Sequence, residues 1–593
     1  MTITKYIFSS NIAFSYFADN EEVGSQFQID ATFGSKFLVD NEGNCEIIQL
    51  PGPTQIDRRL RDDYPLHVSK RWEIHDQTPS SSNLGRQLYE ITGWSLLDVE
   101  DTVASICKSY KESLKSTLPA GAVVKEVITS GPSSNRIDVV FMGDGYTKRE
   151  EKRFFKDIDR LVKEMWRDTT FASTRPLFNV WAVYIPSQES GIGVGGTPLS
   201  GSPFGLYRDG TELRGIYCSK PGNAREACKL TGQNACDFPS LIANDNFYGG
   251  LGGEFTISTR SKTSGTVVLR HEMGHNFVEV GEEYDGGYVY SGCNSAKDLK
   301  KDLKWSHWLS DGVELNAQLI QAYPWYDMAK GPYTLNFTSA GNYSRWLLRF
   351  SISGVDKTSD MDIIFDGKKV KWTSLKTLDR SFYDVVGDTG FASGQHSVQY
   401  RVNDKKDVDG EFKKKKRPIM QLCSVSLHEF KGEPEFHMNN SWISAYPTYS
   451  IEDKKVYRPT NEGCLMRDMS LNHFCKVCQE GLWMDFLARI SLIDSITSIC
   501  TGNHTMQIKL SAVPLAQYRI PTIPGESYSL TWKHKGVPDS AYNDLYTFGV
   551  TLPEGEGSWE AQLVFTTLEV RKDPGNLLTS RRTIRIDDDP CIF

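Results

Sequence analysis

A strand, a helix and a second strand follow one another near the middle of the chain, and this succession restricts the fold more than any other feature of the sequence. The run from Ile137 to Met142 is almost entirely apolar, which is typical of a strand buried on both faces. A charged helix is predicted from Thr147 to about Trp166, and the run from Phe178 to Ile185 is a second strand of the same kind. Because parallel strands joined through a helix cross over with a right hand, the sequence predicts an α/β unit here.

The rest of the chain alternates short strand-like runs with turns, so we expect several domains among its 593 residues. The predicted fold is a multidomain α/β (or α+β) core with accessory β-sandwich domains. The predicted domains are an N-terminal β-sandwich with a following helix (1–125), the core (126–308), an inserted β-sandwich (309–402), a continuation of the core (403–495) and a C-terminal β domain (496–593). The helix in the first domain is predicted from Leu97 to Leu114, and Asp366-Gly367 predicts a hairpin turn in the inserted sandwich.

Charge and hydropathy exclude two classes of partner. Lys and Arg number 67 and Asp and Glu 75, so the net charge of −8 gives no basic surface for nucleic acid. No apolar run approaches the roughly 18 residues that a membrane-spanning helix needs. Four glycosylation sequons are compatible with a secreted or cell-surface protein, whereas polar residues interrupt the apolar amino-terminal segment, which leaves a cytoplasmic location open. The sequons begin at Asn336, Asn342, Asn439 and Asn503.

Two histidines four residues apart flank a glutamate in a helix predicted from about Thr266 to Val280. In a helix, His271 and His275 project from one face and Glu272 lies at its edge. Two imidazole nitrogens about 2 Å from one Zn²⁺ leave positions open, and the glutamate can move a proton from water to a leaving amine. The motif predicts a zinc hydrolase with one catalytic Zn²⁺, and two half-buried helix histidines are the alternative.

A third protein ligand must come from beyond the second histidine. Glu279 lies about 12 Å along a continuing helix from His271, too far to share one ion. The helix therefore has to stop, and Gly281 is suited to end it in a left-handed conformation. We predict Glu282 as the third ligand.

The neighbours of Glu282 have predicted roles as well. Glu283 is its supporting partner or its substitute, and Tyr284 is a candidate catalytic donor to the oxyanion of a tetrahedral intermediate. Three isolated histidines could replace Glu282 as the ligand, although isolated histidines are more often structural. These are His307, His437 and His473.

A glycine-rich run and a group of cysteines complete the set of candidate features. The run from Tyr248 to Gly253 predicts a flexible rim beside an edge strand, Glu254 to Thr259, to which an extended substrate could add. Cys475 and Cys478 form a C-x-x-C pair with Cys464 upstream, near the start of a helix predicted from about Lys476 to Ile490. A structural disulfide is the preferred interpretation, with a redox motif or a second zinc site as alternatives.

Several of these runs, in this order, resemble the zinc metallopeptidases typified by bacterial immunoglobulin A peptidases. The resemblance covers the predicted core, with the stretch from Leu309 to Val402 as an insertion. It is carried by Arg136 to Thr147, Phe178 to Gly191, Tyr248 to Gly253, His271 to Tyr284, Cys464 to Met466 and Phe474 to Cys478.

The resemblance implies a metzincin-like core with a zinc-binding active-site helix and a protein or peptide substrate, glycoproteins included. It also implies that Met466 is the methionine of the turn beneath the metal. The family has Asp-Glu-Tyr where this chain has Glu282-Glu283-Tyr284, so the third ligand here would be one methylene longer.

Three functions are compatible with these features. The first is a zinc endopeptidase in which Glu272 is the general base. The second is an adhesion protein, binding glycans or proteins, with a structural or silent zinc site. The third is a zinc amidohydrolase that acts on cell-wall peptides or small amides. Retention of Glu272 beside both histidines favours an active hydrolase.

Overall fold

The computed structural model describes residues 120–586, apart from 168–169, 233–234, 288, 311–317, 404–417, 435, 451–453 and 503. It also describes positions 103 and 106 and four strands between residues 33 and 93. The chain divides into two compact units, Met1–Cys107 and Lys108–Phe593. The described residues form a sheet-rich structure with few helices and several β domains. None of the helices described is both long enough and apolar enough to cross a membrane.

The first unit contains one antiparallel sheet with the order β2-β1-β4-β3. Its strands are β1 (Phe33–Val39), β2 (Cys45–Pro53), β3 (Leu66–Trp72) and β4 (Gln87–Gly93). The predicted helix from Leu97 to Leu114 lies almost wholly outside the described residues.

The second unit is built around a five-stranded sheet with the order β12-β11-β6-β7-β5, in which only β5 runs antiparallel to its neighbour. A small sheet of β8, β9 and β10 lies between β7 and β11 in the chain. The strands are β5 (Val123–Ile128), β6 (Ile137–Asp144), β7 (Phe178–Tyr184), β8 (Gly193–Val194), β9 (Leu206–Arg208), β10 (Tyr217–Cys218), β11 (Phe238–Ala243) and β12 (Thr256–Thr259).

Both faces of the five-stranded sheet are covered, which explains why every residue of β6 is buried. The helices are α1 (Glu151–Met165), α2 (Pro221–Cys228) and α3 (Gly265–Phe277). Phe141 on one face of β6 packs in the apolar cluster that includes α1 and α3. Val140 on the opposite face packs in a second cluster that includes α2. The helix predicted from Thr147 to about Trp166 corresponds to a short 3-10 turn followed by α1.

An inserted sandwich follows, made of two antiparallel sheets around an apolar interior of their own. The sheet orders are β13-β21-β16-β19, with β14 also paired to β21, and β15-β20-β17-β18. The strands are β13 (Gln318–Ala322), β14 (Tyr326–Asp327), β15 (Tyr333–Ser339), β16 (Arg345–Ser353), β17 (Met361–Phe365), β18 (Lys368–Val370), β19 (Ser381–Gly387), β20 (Gly394–Val402) and β21 (Gln421–Phe430).

Two details of this sandwich bear on the sequence predictions. Asp366 and Gly367 both have positive φ and connect β17 to β18, so the predicted hairpin turn is confirmed. The strand β21 lies beyond the predicted boundary at 402, yet it pairs with β13 and β16. The sandwich therefore includes a strand that the sequence assigned to the core, because a polar stretch separates β21 from the other strands in the chain.

The chain then returns to the core through β22 (Tyr446–Tyr449), β23 (Lys455–Arg458) and α4 (Lys476–Leu487). Two further antiparallel sheets, β24-β25-β28 and β27-β26-β29-β30, end the described chain, and their apolar interior is continuous with that of the core. The indole of Trp483 in α4 donates to Glu569, and Arg136 pairs with Asp494, so the C-terminal sheets are fixed to the core. The strands are β24 (Ile493–Gly502), β25 (Thr505–Ala512), β26 (Ser527–His534), β27 (Val537–Pro538), β28 (Thr547–Thr551), β29 (Gly557–Thr566) and β30 (Thr579–Ile586).

Candidate metal centre

The helix α3 presents His271 and His275 on one face, and backbone carbonyls orient both rings. Nδ1 of His275 lies 2.9 Å from the carbonyl oxygen of Val280, and Nδ1 of His271 lies 3.4 Å from that of Leu465. A carbonyl only accepts hydrogen bonds, so Nδ1 carries a proton and Nε2 is the ring atom that remains to bind a metal. This is the ring orientation that a metal-binding histidine needs.

Glu282 closes the site from the loop after α3. Its Oε2 lies 3.2 Å from Nε2 of His271, and its Oε1 lies 3.2 Å from Nε2 of His275. The potential ligand atoms of the three residues all lie within 4.8 Å of one another. Nε2 of His275 and Oε2 of Glu282 are buried and have no hydrogen-bond partner among the described residues, so the three side chains converge without satisfying one another. Two imidazoles and a carboxylate at this spacing fit a single divalent metal ion.

Electrostatics keep the Glu282 carboxyl ionised. Burial acts to raise the pKa of Glu282, but the two imidazoles outweigh burial and hold the pKa far below its ordinary value. Burial acts to lower the pKa of His275, but the Glu282 carboxylate outweighs it and raises that pKa to about 9. A carboxylate that stays charged at neutral pH is ready to ligate a cation.

The turn that brings Glu282 back differs from the predicted one. The helix α3 ends at Phe277, and Val278 is already extended, with φ −142°. Gly281 does not have a positive φ, so the predicted left-handed cap is wrong. Glycine is needed there for a different reason, because a Cβ on Gly281 would lie 2.7 Å from the backbone N and O of Ser291. Asn294 holds the turn by accepting from the N–H of Gly281 at 2.8 Å and donating to its carbonyl at 2.9 Å.

Glu272 lies beside the histidines and faces the glycine-rich rim. A Cβ on Gly252 of the rim would lie 2.9 Å from its Oε2. Burial raises the pKa of the Glu272 carboxyl, although the two histidines and the backbone N–H of Gly252 act to lower it. A carboxylate with a raised pKa is suited to accept a proton from water and give it up again.

The glycine-rich rim pairs with part of the strand edge that was predicted to bind an extended substrate. The strand β12 is at the edge of the five-stranded sheet, as the predicted edge strand from Glu254 to Thr259 requires. Leu251 of the rim forms an antiparallel bridge to Ile257 in β12, with N–H···O distances of 2.8 and 3.1 Å. An extended chain therefore cannot pair with β12 at Ile257 while the rim holds this position.

Tyr284 and Met466 both lie close to the helix that carries the two histidines. The Tyr284 side chain lies beside the Glu282 carboxylate, and its ring centroid lies 6.2 Å from that of His271. Burial, together with this carboxylate, raises the pKa of the tyrosine well above its ordinary value. Met466 is fully buried, and its Sδ would lie 3.3 Å from a Cβ built on Gly274, between the two histidines in α3. The carbonyl of Met466 accepts from the N–H of Glu283 at 3.1 Å, so this segment also supports the loop that carries Glu282.

The inserted sandwich contributes residues to this region that the sequence did not reveal. Oδ2 of Asp379 accepts from the hydroxyls of Ser261 and Ser264, at 2.7 and 2.6 Å, just before α3 begins. Oδ1 of the same carboxylate accepts from the backbone N–H of Tyr248 in the rim. The guanidinium of Arg380 lies 4.5 Å from the centroid of the Tyr248 ring. Neither residue belongs to a recognisable motif, so only the fold could identify them.

The alternative ligands have other partners. The Glu283 carboxylate accepts from Asn294 at 2.9 Å and faces away from His271 and His275, toward Cys478. His307 contacts Glu480 at 2.6 Å, and His437 stacks on Trp442 with ring centroids 3.9 Å apart. Neither of these histidines, nor the half-buried His473, belongs to the His271, His275 and Glu282 group in the part of the chain that the structure describes.

A helix carrying two histidines and a glutamate, closed by a further carboxylate, is an arrangement typical of hydrolase-type metal centres. Residues 125–319 match the model of the IgA peptidase M64 family. This match confirms the predicted resemblance to immunoglobulin A peptidase-type metallopeptidases. The match indicates a peptidase-type domain in this part of the chain.

Other comparisons add little. The curated proteins include no match to the chain. A family 35 carbohydrate-binding module from Cellvibrio japonicus is 10% identical with a TM-score of 0.12, and the match covers 16% of this chain and 63% of that one. A second such module, from Clostridium thermocellum, is 12% identical with a TM-score of 0.12, covering 16% and 69%. A GH2 β-galacturonidase from Eisenbergiella tayi is 13% identical with a TM-score of 0.12, covering 43% and 35%. At such TM-scores these likenesses carry no argument about fold or function.

Proposed function

We propose that the chain is a zinc-dependent endopeptidase whose metal is held by His271, His275 and Glu282. The observation that carries this proposal is the convergence of the two Nε2 atoms and the Glu282 carboxylate beside Glu272. Two histidines and one carboxylate form a three-ligand set that leaves a position open, as in catalytic zinc sites. The core is then metzincin-like, with α3 as its active-site helix.

A zinc ion in this site supplies Lewis acidity toward the scissile carbonyl and the attacking water. Glu272 accepts a proton from the water as its oxygen adds to the carbonyl carbon, and donates that proton to the amine nitrogen as the C–N bond breaks. Its place beside both histidines and under the Gly252 N–H suits this role. Tyr284 donates to the oxygen of the former carbonyl once its hydroxyl leaves Glu282.

The surroundings support a macromolecular substrate. The rim is linked to the inserted sandwich through Tyr248, Asp379 and Arg380, so two domains border the centre. We propose a protein or peptide substrate, glycoproteins included, that lies along the rim. The disulfide between Cys228 and Cys236 supports a secreted or cell-surface location.

Mass-spectrometric mapping of cleavage tests this function on a broad peptide mixture and on intact immunoglobulin A. We expect internal peptide bonds to be cut by the untreated protein, not by the chelator-treated protein, and again after Zn²⁺ is returned. A zinc-loaded protein that cuts nothing would favour the adhesion alternative. Release of small amides without internal cleavage of peptides would favour the amidohydrolase.

A further inference from the structure

A second group of potential metal ligands lies behind the loop that carries Glu282. It consists of Glu283, Cys464, Cys475 and Cys478, and we call it the thiol cluster. All four side chains are buried, and their potential ligand atoms lie within 4.8 Å of one another. The mechanism proposed above uses none of them.

The spacing within the thiol cluster is that of ligands around a tetrahedral ion. Tetrahedral zinc with Zn–S bonds of about 2.3 Å places two sulfurs about 3.8 Å apart, and a sulfur and a carboxylate oxygen about 3.6 Å apart. Sγ of Cys464 lies 3.7 Å from Sγ of Cys478, which lies 3.5 Å from Oε1 of Glu283. A disulfide requires about 2.05 Å between the sulfurs.

The predicted structural disulfide at this position is therefore absent. Cys464, Cys475 and Cys478 are all free thiols, whereas Cys228 and Cys236 are joined in a disulfide elsewhere in the unit. The three sulfurs are close together but unbonded, which leaves the second zinc site as the alternative that matches their geometry.

Backbone groups around the thiol cluster are arranged for thiolates. Sγ of Cys464 accepts from the N–H of Cys475 at 3.3 Å. Cys475 is the residue that precedes α4, so its sulfur lies at the start of that helix, where the N–H groups of the first turn have no partner within the helix. Negative charge is stabilised at the start of a helix, so this position suits a sulfur that binds a cation.

The carboxylate of Glu283 provides an independent indication that a cation is bound. Its side chain is 0% exposed, and Oε2 has no hydrogen-bond partner among the described residues. Oε1 accepts from Asn294 at 2.9 Å. A buried carboxylate with one unpaired oxygen beside three thiols is costly unless a cation compensates its charge.

We propose that Glu283, Cys464, Cys475 and Cys478 bind a second, structural Zn²⁺. Four protein ligands close the coordination sphere, which is the arrangement of a structural site, and three sulfurs select zinc over calcium or magnesium. This ion joins three segments that form the catalytic centre: the loop after α3, the turn with Met466 and the start of α4.

The two metal sites are then coupled through adjacent residues. Glu282 ligates one ion and Glu283 the other, so the backbone between them is fixed from both sides. Cys464 immediately precedes Leu465, whose carbonyl orients His271. Loss of the structural ion should therefore disturb the catalytic ligands.

Elemental analysis of the full-length protein by inductively coupled plasma mass spectrometry tests the proposal. We expect about two Zn²⁺ per wild-type chain, about one in His271→Ala and about one in Cys478→Ala. Cys293→Ala is the matched control, because this thiol interacts with Cys478 but lies outside the cluster, and it should retain both ions. If Cys293→Ala lost one ion, Cys293 and not Glu283 would be the fourth ligand, and the proposed ligand set would be wrong.

Cobalt substitution provides a second readout that does not depend on the folding of a cysteine variant or on activity. His271→Ala loaded with Co²⁺ should show the thiolate-to-cobalt charge-transfer absorption that histidine and carboxylate ligands do not give. Absence of that absorption, or a disulfide among Cys464, Cys475 and Cys478 found by mass spectrometry without reduction, would overturn the proposal. If the proposed peptidase function were wrong but the structural site were right, the protein would show no cleavage activity and would still give the thiolate-to-cobalt absorption.

Discussion

Nε2 of His275 lies 3.2 Å from Oε1 of Glu282, although α3 ends at Phe277 and the glutamate belongs to the following loop. The carbonyl of Val280, at 2.9 Å from Nδ1 of His275, holds the other side of the ring. The loop therefore both orients the histidine and supplies a candidate ligand. The three candidate ligands can meet because the helix is short and hydrogen bonds to the backbone hold the chain where it turns back.

Replacing Glu282 with alanine should weaken zinc binding by more than roughly 10- to 100-fold. That range is the usual effect of losing a residue that only hydrogen-bonds to a metal ligand. The physical reason is loss of one of three ligands together with the charge that balances His275. Zinc competition with a chromophoric chelator measures the affinity. Glu279→Ala is the matched control, because this exposed glutamate lies in the same loop and outside the metal-ligand group, and it should bind zinc as the wild type does.

Gly274→Ala should lower the free energy of unfolding by about 1–3 kcal/mol, the usual cost of overpacking. The new Cβ would lie 2.9 Å from Cζ of Phe474 and 3.3 Å from Sδ of Met466. Urea denaturation of the zinc-loaded protein measures the change. Phe474→Leu removes the nearest atom, so the double variant should lose less than the sum of the single variants; strict additivity would contradict this account.

Arg349→Ala should lower the free energy of unfolding by about 3–5 kcal/mol, because it removes the cation that pairs with the buried Asp468 and one of the two that pair with the buried Glu462. Arg349 lies on β16, and its guanidinium contacts Asp384 at 2.6 Å, Asp468 at 2.7 Å and Glu462. The last two belong to the segment around Met466, so this pairing joins the inserted sandwich to the core.

Arg401→Ala is the control for that prediction. Arg401 pairs with Asp362 at 3.0 Å on the surface of the same sandwich, with its side chain 45% exposed. An exposed ion pair contributes about 0–1 kcal/mol. Equal losses of stability in the two variants would show that the buried pairing does not connect the domains as described.

The stability of the second unit should fall as the pH is lowered below about 6.5. Burial, reinforced by Arg467, lowers the pKa of His428 from 6.5 to about 3, while Glu462 and Asp285 oppose the shift. The folded protein therefore keeps His428 neutral, whereas the unfolded chain takes up a proton below 6.5. The contribution of neutral His428 to the free energy of unfolding is fully present above the pKa of the unfolded chain. It is lost at about 1.4 kcal/mol per pH unit as the pH falls toward 3.

Urea denaturation between pH 7.5 and 4.5 measures this dependence. His428→Gln retains an acceptor for Arg467, whose Nη2 lies 3.1 Å from Nε2 of His428, and cannot gain a proton. Its stability should decline less steeply with acid than that of the wild type. If the stability of both proteins fell equally with decreasing pH, groups other than His428 would be responsible for the acid sensitivity.

Local patterns were enough to predict much of the core. The apolar runs that became β6 and β7, the helix α1 and the motif helix α3 each carry their own periodicity, so no distant partner is needed to recognise them. The reach of a helix excluded Glu279 and left Glu282, with Glu283 as its substitute, as the candidate ligand, and this reach is a local geometric limit.

Features that depend on distant contacts were not predictable. Gly281 is constrained by Ser291 and Asn294, which meet it only after the loop folds back, so its expected left-handed conformation was wrong. Asp379 approaches α3 from a separate domain, and β21 joins its sandwich across a long polar stretch. The sequence gives the residue types at these positions but not the tertiary contacts that decide their roles.

The most direct test of the central claim compares wild type and Glu272→Gln at equal, measured zinc content, with cleavage of a peptide mixture followed by mass spectrometry. Glu279→Gln makes the same chemical change outside the ligand group and is the control. We predict that Glu272→Gln retains zinc and cuts about 10²- to 10⁴-fold more slowly, because only the group that moves the proton is lost. The control should cut at the wild-type rate. A zinc-loaded Glu272→Gln that cuts as fast as the wild type would contradict the account.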